Sequence, residues 1–265
     1  MPRLTALIAA MALAIPAAAS AQSADGTTIL STQGTGPALG FTLRGGVAST
    51  PEYFGAPSNE LGPDIGFELN YLRFGNFTIG NPDPLFRPQG FGVTGSFRYI
   101  GERDDADSPE LAGLNDIDAA LELGLGLQYA ADNYQVFGAV RRGVTGHDGL
   151  VGELGADLLL YPTDRLTVTF GPRALWGDDE YASTYFGVTA AEAGASAFTA
   201  FAPSGGLMSV GVELGAGYRL NDRWGIEGAI SYDKLQNDAA ASPITADDES
   251  LSARIGVTRR FTLGF

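Results

Sequence analysis

The chain has 265 residues, 37 glycines, no cysteine and a formal net charge of −15, with a mean hydropathy close to zero. The missing cysteine excludes disulfide frameworks, thiolate metal sites and an acylated N-terminal cysteine, and the acidity argues against nucleic acid, which asks for a basic footprint. The hydropathy excludes a helical membrane protein, whose spans need apolar runs of about 20 residues, but not a membrane barrel, which hides its apolar surface by alternating it with polar residues.

Residues 1–21 read as a signal peptide. Arg3 supplies the positive start, residues 4–15 (LTALIAAMALAI) the apolar core and Pro16 the break, and Ala19-Ser20-Ala21 gives an A-x-A cleavage site before Gln22. Residues 22–38 follow as a polar, Gly/Thr-rich flexible leader. The remainder, 39–265, is predicted to form an outer-membrane β-barrel.

Period-two alternation carries that prediction. Over 117–129, Ile117, Ala119, Leu121, Leu123, Leu125, Leu127 and Tyr129 oppose Asp118, Ala120, Glu122, Gly124, Gly126 and Gln128. In a strand the two sets lie on opposite faces. The same pattern yields strands near 39–49, 64–80, 90–100, 117–129, 134–144, 150–160, 166–176, 207–220, 224–233 and 250–265. The fold class is therefore all-β, a transmembrane antiparallel up-and-down barrel of about ten strands. Twelve is the alternative, because Gly75-Asn76 could split the second strand and a further strand would then be needed to keep the count even. Short turns (130–133, 161–165, 221–223) alternate with long connections (50–63, 101–116, 177–206, 234–249), which places the termini in the periplasm and the long loops outside. Tyr129, Tyr134, Tyr218 and Trp224 flank the short turns, and Tyr99, Trp176 and Tyr232 lie near the long loops, as aromatic girdles do.

Hairpin turns fix register. Pairing Tyr129 with Tyr134, Val144 with Leu150 and Leu160 with Leu166 sets Glu122 opposite Arg141, Arg141 opposite Glu153, and Glu153 opposite Arg173. The expected result is a lumen charge ladder, Glu122–Arg141–Glu153–Arg173, with Glu213 as its next rung. Such pairing belongs in a filled or constricted lumen rather than a wide pore.

Chemical motifs are sparse. His147, the single histidine, reads as a turn residue of 146–149; the rival reading is the base of a Ser-His site oriented by Asp148 or Asp178, but no nucleophile elbow accompanies it. Acidic clusters at 104–110, 178–180 and 247–249 read as solvated loop faces, since none has EF-hand spacing. No phosphate-binding loop, dinucleotide fingerprint or metal-ligand cluster is present, so neither catalytic residues nor a cofactor or metal is expected. Residues 190–198 could form a short helix, folded inward or facing a partner. At the C-terminus, Phe261, Leu263 and Phe265 alternate to a final phenylalanine, resembling the signal read by the barrel-insertion machinery.

Several segments resemble the MltA-interacting protein (MipA/OmpV) family: residues 45–55 (GGVASTPEYFG), 146–162 (GHDGLVGELGADLLLYP), 166–189 (LTVTFGPRALWGDDEYASTYFGVT) and 242–265, beginning Ser242-Pro243-Ile244. Region 63–115 matches loosely. The resemblance implies residence in the outer membrane of a Gram-negative bacterium, in contact with its lipid. For the family's namesake it implies a non-enzymatic scaffold joining a lytic transglycosylase to a murein synthase. A small-solute channel and a surface adhesin or receptor are the rival functions, and an outer-membrane lipid hydrolase, dependent on His147, is a more distant one.

Overall fold

The computed structural model describes residues 36–264 except 76, 84, 85, 88 and 107. The expected signal segment, the leader as far as residue 35, and Phe265 lie outside the described residues.

Among the described residues, eleven antiparallel strands form one sheet: β1 (Ala38–Pro51), β2 (Asn59–Phe74), β3 (Phe77–Gly80), β4 (Gly90–Ile100), β5 (Ala120–Ala130), β6 (Tyr134–Thr145), β7 (Leu150–Thr163), β8 (Leu166–Gly177), β9 (Gly206–Arg219), β10 (Trp224–Leu235) and β11 (Glu249–Gly264). The order β3-β2-β1-β11-β10-β9-β8-β7-β6-β5-β4 is up-and-down, with β11 returning to pair with β1. Ten strands are long. β3 is a four-residue spur folded back on β2 after Gly75, whose φ of +59° makes the tight return that glycine tolerates best. The second expected strand is thus split where Gly75-Asn76 allowed. The spur pairs only with the end of β2 and stays at one end, so the barrel keeps ten long strands. β2 and β4 come alongside each other without a ladder, and the barrel is nearly closed.

Alternation sorts the two faces. On β5, Leu123, Leu125 and Leu127 are exposed while Glu122 is fully buried. Exposed leucines, valines and isoleucines recur on β6, β7, β9, β10 and β11, forming an apolar belt far larger than a water-soluble monomer carries. At the short-turn end, Phe91, Tyr129 and Tyr134 form a chain of ring contacts with centroids 5.0 and 6.3 Å apart.

The long connections fold into a cap. Residues 178–205 carry α1 (Asp179–Phe186) and α2 (Ala190–Ala195); 236–248 carry α3 (Asn237–Ala241); 101–119 carry a 3-10 turn, Pro109–Leu111. Asp178 starts α1, its Oδ1 accepting from the Tyr181 amide at 2.9 Å, and Thr189 and Glu192 close a capping box on α2. Two apolar clusters hold the cap together. One centres on Tyr181, Tyr185, Phe186, Val151 and Met208, the other on Tyr53, Leu111, Leu114, Val188 and Ile244. The loop of 52–58 is pinned by Gly55, whose carbonyl accepts from the Ala246 and Asp247 amides. Its φ is +91° and a Cβ would stand 2.8 Å from Thr245 Cα, so the glycine of the 45–55 motif is required by backbone shape and by a neighbour. Ile117, expected at the start of the fourth strand (117–129), instead bridges Arg103 and is buried under the cap.

Candidate functional site: a lumen filled at one end and open at the other

Inside the loop-end half, charged side chains pair across the inner face. Glu122 on β5 accepts from Arg141 Nε at 2.8 Å, and Arg141 Nη1 donates to Glu153 at 2.7 Å and to Ser96 at 3.1 Å. Arg98 Nη1 lies 3.9 Å from Glu122 Oε1, and His147 Nε2 lies 3.4 Å from the same oxygen. His147 Nδ1 accepts from the Gly149 amide at 3.1 Å, which leaves the imidazole proton on Nε2, facing Glu122. Tyr181 and Tyr185 of α1 roof this layer, each with its ring 5.4 Å from the imidazole. Burial pushes both phenols above their ordinary range, so they stand neutral. Arg98 Nη1, Arg141 Nη2 and both phenol oxygens are buried without a hydrogen-bond partner among the described residues.

A second layer lies nearer the turns. Arg173 Nη2 stands 2.8 Å from Asp157 Oδ1, as an ion pair rather than an aligned hydrogen bond, and 3.2 Å from Glu213 Oε1. Arg254 Nη1 completes the group at 3.0 Å from Glu213 Oε2. Around the wall, Arg44 pairs with Asp64 at 2.6 Å and reaches Glu227 at 3.7 Å.

Of the residues expected in one ladder, Glu122, Arg141 and Glu153 meet, whereas Arg173 turns to Asp157 and Glu213. The cause is a two-residue difference in register at every hairpin concerned. Gly124 pairs with Arg141, Arg141 with Val151 and Gly155 with Arg173. The chain turns on Asp132-Asn133 alone, with Ala131 donating to Tyr134 O, because a two-residue turn of Asp and Asn is favoured over the four-residue loop that a Tyr129–Tyr134 pairing leaves. A shift of two preserves the face. The charges therefore stay inside, and long arginines reach diagonal partners. Arg98, Asp157 and Arg254 belong to the same network and were legible by face parity alone. Tyr181 and Tyr185 had no signal, since nothing in a loop's sequence says that it folds inward.

Beyond the second layer the lumen opens into a cavity of about 770 Å³, lined from the turn-end halves of the strands by Thr42, Asn70, Thr94, Gln128, Thr167 and Thr169 among others, with Arg165, Arg223 and Arg260 near its mouth. Among the described residues no group of three His, Asp or Glu side chains converges to hold a metal ion. Asp178 caps α1 and bonds the Leu150 amide at 2.9 Å instead of orienting His147, whose polar contacts are with Glu122 and the Gly149 amide rather than a serine. Of the C-terminal residues, Phe261 stacks on Phe41 with centroids 5.2 Å apart, and Leu263 pairs with Leu39.

The pattern of the family described as MltA-interacting protein MipA matches residues 43–261. MltA-interacting proteins from Escherichia coli (strain K12) and Shigella flexneri are each 27% identical over 170 residues, which is 62% of this chain. The match spans 65% of the relatives' own length, just under two thirds. Among solved structures, the outer membrane protein OprG from Pseudomonas aeruginosa aligns over 85% of this chain and 97% of its own, at 17% identity and a TM-score of 0.31. OmpT, an outer membrane protein of Vibrio cholerae, aligns over 88% and 100%, at 7% identity and a TM-score of 0.32. With nearly the whole barrel matched and an apolar belt facing outward, the chain belongs to the MltA-interacting protein family and resides in the outer membrane of a Gram-negative bacterium.

Proposed function

We propose that this barrel is a non-enzymatic scaffold that holds murein-remodelling enzymes, a lytic transglycosylase and a murein synthase, at the periplasmic face of the outer membrane. One observation carries the reading: the loop end is filled by buried ion pairs and roofed by a cap with its own apolar cores, while the cavity opens among the short turns. Short turns face the periplasm in this class of barrel. A lumen packed at one end speaks against an open channel. Cap side chains spent on packing against the barrel, such as Tyr181 and Phe186, speak for loops that seal rather than loops that capture. The relatives' description as interacting proteins agrees with this reading, though it was given to them and not to this chain.

The test is affinity capture of the heat-modifiable barrel from cross-linked envelopes. Recovery of a lytic transglycosylase or murein synthase supports the scaffold. Recovery of the barrel alone, under cross-linking that captures other envelope complexes, rejects it.

A further inference from the structure

Most charged side chains of the strands point into the lumen, where oppositely charged groups meet them. Arg259 of β11 points the other way. It is exposed, and it shares its face with two exposed apolar side chains, Leu43 directly opposite on β1 and Trp224 directly opposite on β10. Its guanidinium carbon lies 4.9 Å from the Trp224 ring centroid and 4.9 Å from that of Phe261. Two rings thus hold the group in place, and among the described residues it makes no ion pair. The acidic side chains of the adjoining strand and turn serve the inner side of the wall: Glu227 reaches Arg44 at 3.7 Å, and Asp222 borders the lumen cavity. Trp224 follows the short turn of 221–223, so Arg259 stands in the aromatic girdle at the level of the periplasmic headgroups.

A groove of about 520 Å³ crosses the same outer wall, deeper in the apolar belt. Small residues make it. Gly228 of β10 pairs with Ile255 on one side and Ala216 on the other, and Ala253 lies two residues beyond Ile255 on β11. Ile230, Leu214 and Ile255 rise at its edges. Along β11 the step from Arg259 to Ile255 is four residues, about 13 Å at a rise of about 3.3 Å each. Strands tilted by about 40° turn that into about 10 Å of depth. One leaflet of hydrocarbon is about 15 Å thick, so the groove lies where acyl chains run.

We infer that Arg259, held by Trp224 and Phe261, and the groove beyond it form one site for a phospholipid of the periplasmic leaflet, with the phosphate on the guanidinium and an acyl chain in the groove. The arginine fork matches two phosphate oxygens at once, and ring contacts orient it without neutralising it. The groove forfeits dispersion contacts on a lipid-facing wall unless a chain fills it. Both halves lie on β10 and β11 in the order headgroup, then tail, counted from the turn end. A lipid of the periplasmic leaflet presents its parts in that order, and a lipid of the opposite leaflet presents them reversed. The site depends on residence in the outer membrane and not on the scaffold function.

The test is native mass spectrometry of the folded chain in maltoside micelles doped with palmitoyl-oleoyl phosphatidylglycerol. A diglucosyl diacylglycerol with the same chains is the phosphate-free control. The barrel should retain one phosphatidylglycerol about tenfold more tightly than the glycolipid. Arg259→Gln should abolish that preference. Arg142→Gln, at an exposed arginine near the loop end of β6, should keep it. Ala216→Leu/Ala253→Leu fills the groove and should weaken retention of both lipids alike. All these substitutions fall on exposed side chains, so each variant should keep its heat-modifiable band. Equal retention of the two lipids by the native chain, or an unchanged preference in Arg259→Gln, overturns the inference. So does release of phosphatidylglycerol by inorganic phosphate at constant ionic strength, which makes the site one for a free anion. Unchanged retention in the groove variant overturns the acyl-chain half of the site.

Discussion

His147 Nε2 stands 3.4 Å from Glu122 Oε1, and neither side chain is exposed to solvent. Glu122 lies within 4 Å of both His147 and Arg98, and it also holds Arg141. Removing it takes the carboxylate within 4 Å away from Arg98 and leaves the buried Arg141 with Glu153 alone. Glu122→Ala should therefore cost about 3–5 kcal/mol, the usual penalty for breaking a buried pair from one side. His147→Ala removes one contact to Glu122 and leaves Arg98 and Arg141 their carboxylate, so it should cost less, about 1–3 kcal/mol. Unfolding temperatures of the heat-modifiable band report both. Equal shifts for the two variants would show that Glu122 is not the keystone of the layer.

Arg173 holds Asp157 and Glu213 together from the middle of the second layer. Arg173→Glu places three carboxylates in one part-buried group and should lower the unfolding temperature sharply. The reversal also distinguishes the observed partners from the register expected from turn lengths. Asp157→Arg should restore part of the loss in an Arg173→Glu background, whereas Glu153→Arg should not. Rescue by position 153 alone would favour the directly opposed ladder over the diagonal one.

The barrel was readable because its physics is local: a period of two, repeated over strands of 11–16 residues, fixes which side chains face lipid whatever the register. Glu122, Arg141, Glu153, Arg173 and Glu213 were placed on the inner face by that parity alone. Which of them touch depends on the turn, and Asp132-Asn133 and Asp164-Arg165 each close a hairpin tighter than strand hydrophobicity suggests. The cap was barely readable. α2 had a helical signature in residues 190–198, but α1 and the inward packing of Tyr181 follow from tertiary contacts with Phe54, His147 and the strands below. No periodicity encodes those contacts.

Glu192 ties two loops of the cap. One carboxylate oxygen accepts from the Asn115 amide and side chain at 2.9 and 2.8 Å, the other from the Thr189 amide and hydroxyl at 2.8 and 2.7 Å. Burial acts to raise its pKa, but the donors from Thr189 and Asn115 prevail and hold it below the ordinary 4.5. A depressed carboxylate contributes stability that is present above the unfolded value and lost as pH falls through the folded one. Protection against hydrogen exchange in 115 and 189–195 should therefore be high at neutral pH and fall in acid, as the pH drops through the lowered value of Glu192. Glu192→Gln should be less protected at neutral pH and lose the acid step in protection. A step that persists in the variant would place the titration elsewhere.

A lumen plugged by two ion-pair layers and roofed by α1 should pass no ions. In planar bilayers the native chain should be electrically silent. Replacing 179–204 by a short Gly-Ser link removes Tyr181, Tyr185 and Phe186 from the roof and should yield a small, unsteady conductance, limited by Arg98, Arg141 and Glu122 beneath. Stepwise, long-lived openings of the native chain would put the channel reading ahead of the scaffold.

The last strand carries the remaining sequence expectation, that Phe261, Leu263 and Phe265 form the signal read by the insertion machinery. Phe261 has a second duty, since it stacks on Phe41 across the closing β1–β11 pair, and Phe41 in turn stacks on Phe67. Loss of Phe261 should therefore slow assembly and also destabilise the assembled barrel, by about 3–5 kcal/mol for truncation of a well-packed aromatic to alanine and less where lipid covers one face. Deleting Phe265 should slow assembly in cells while leaving the unfolding temperature of the assembled fraction unchanged. Pulse-labelled appearance of the heat-modifiable form separates rate from stability. Normal assembly kinetics without Phe265 would refute the signal and leave the strand with a purely structural role.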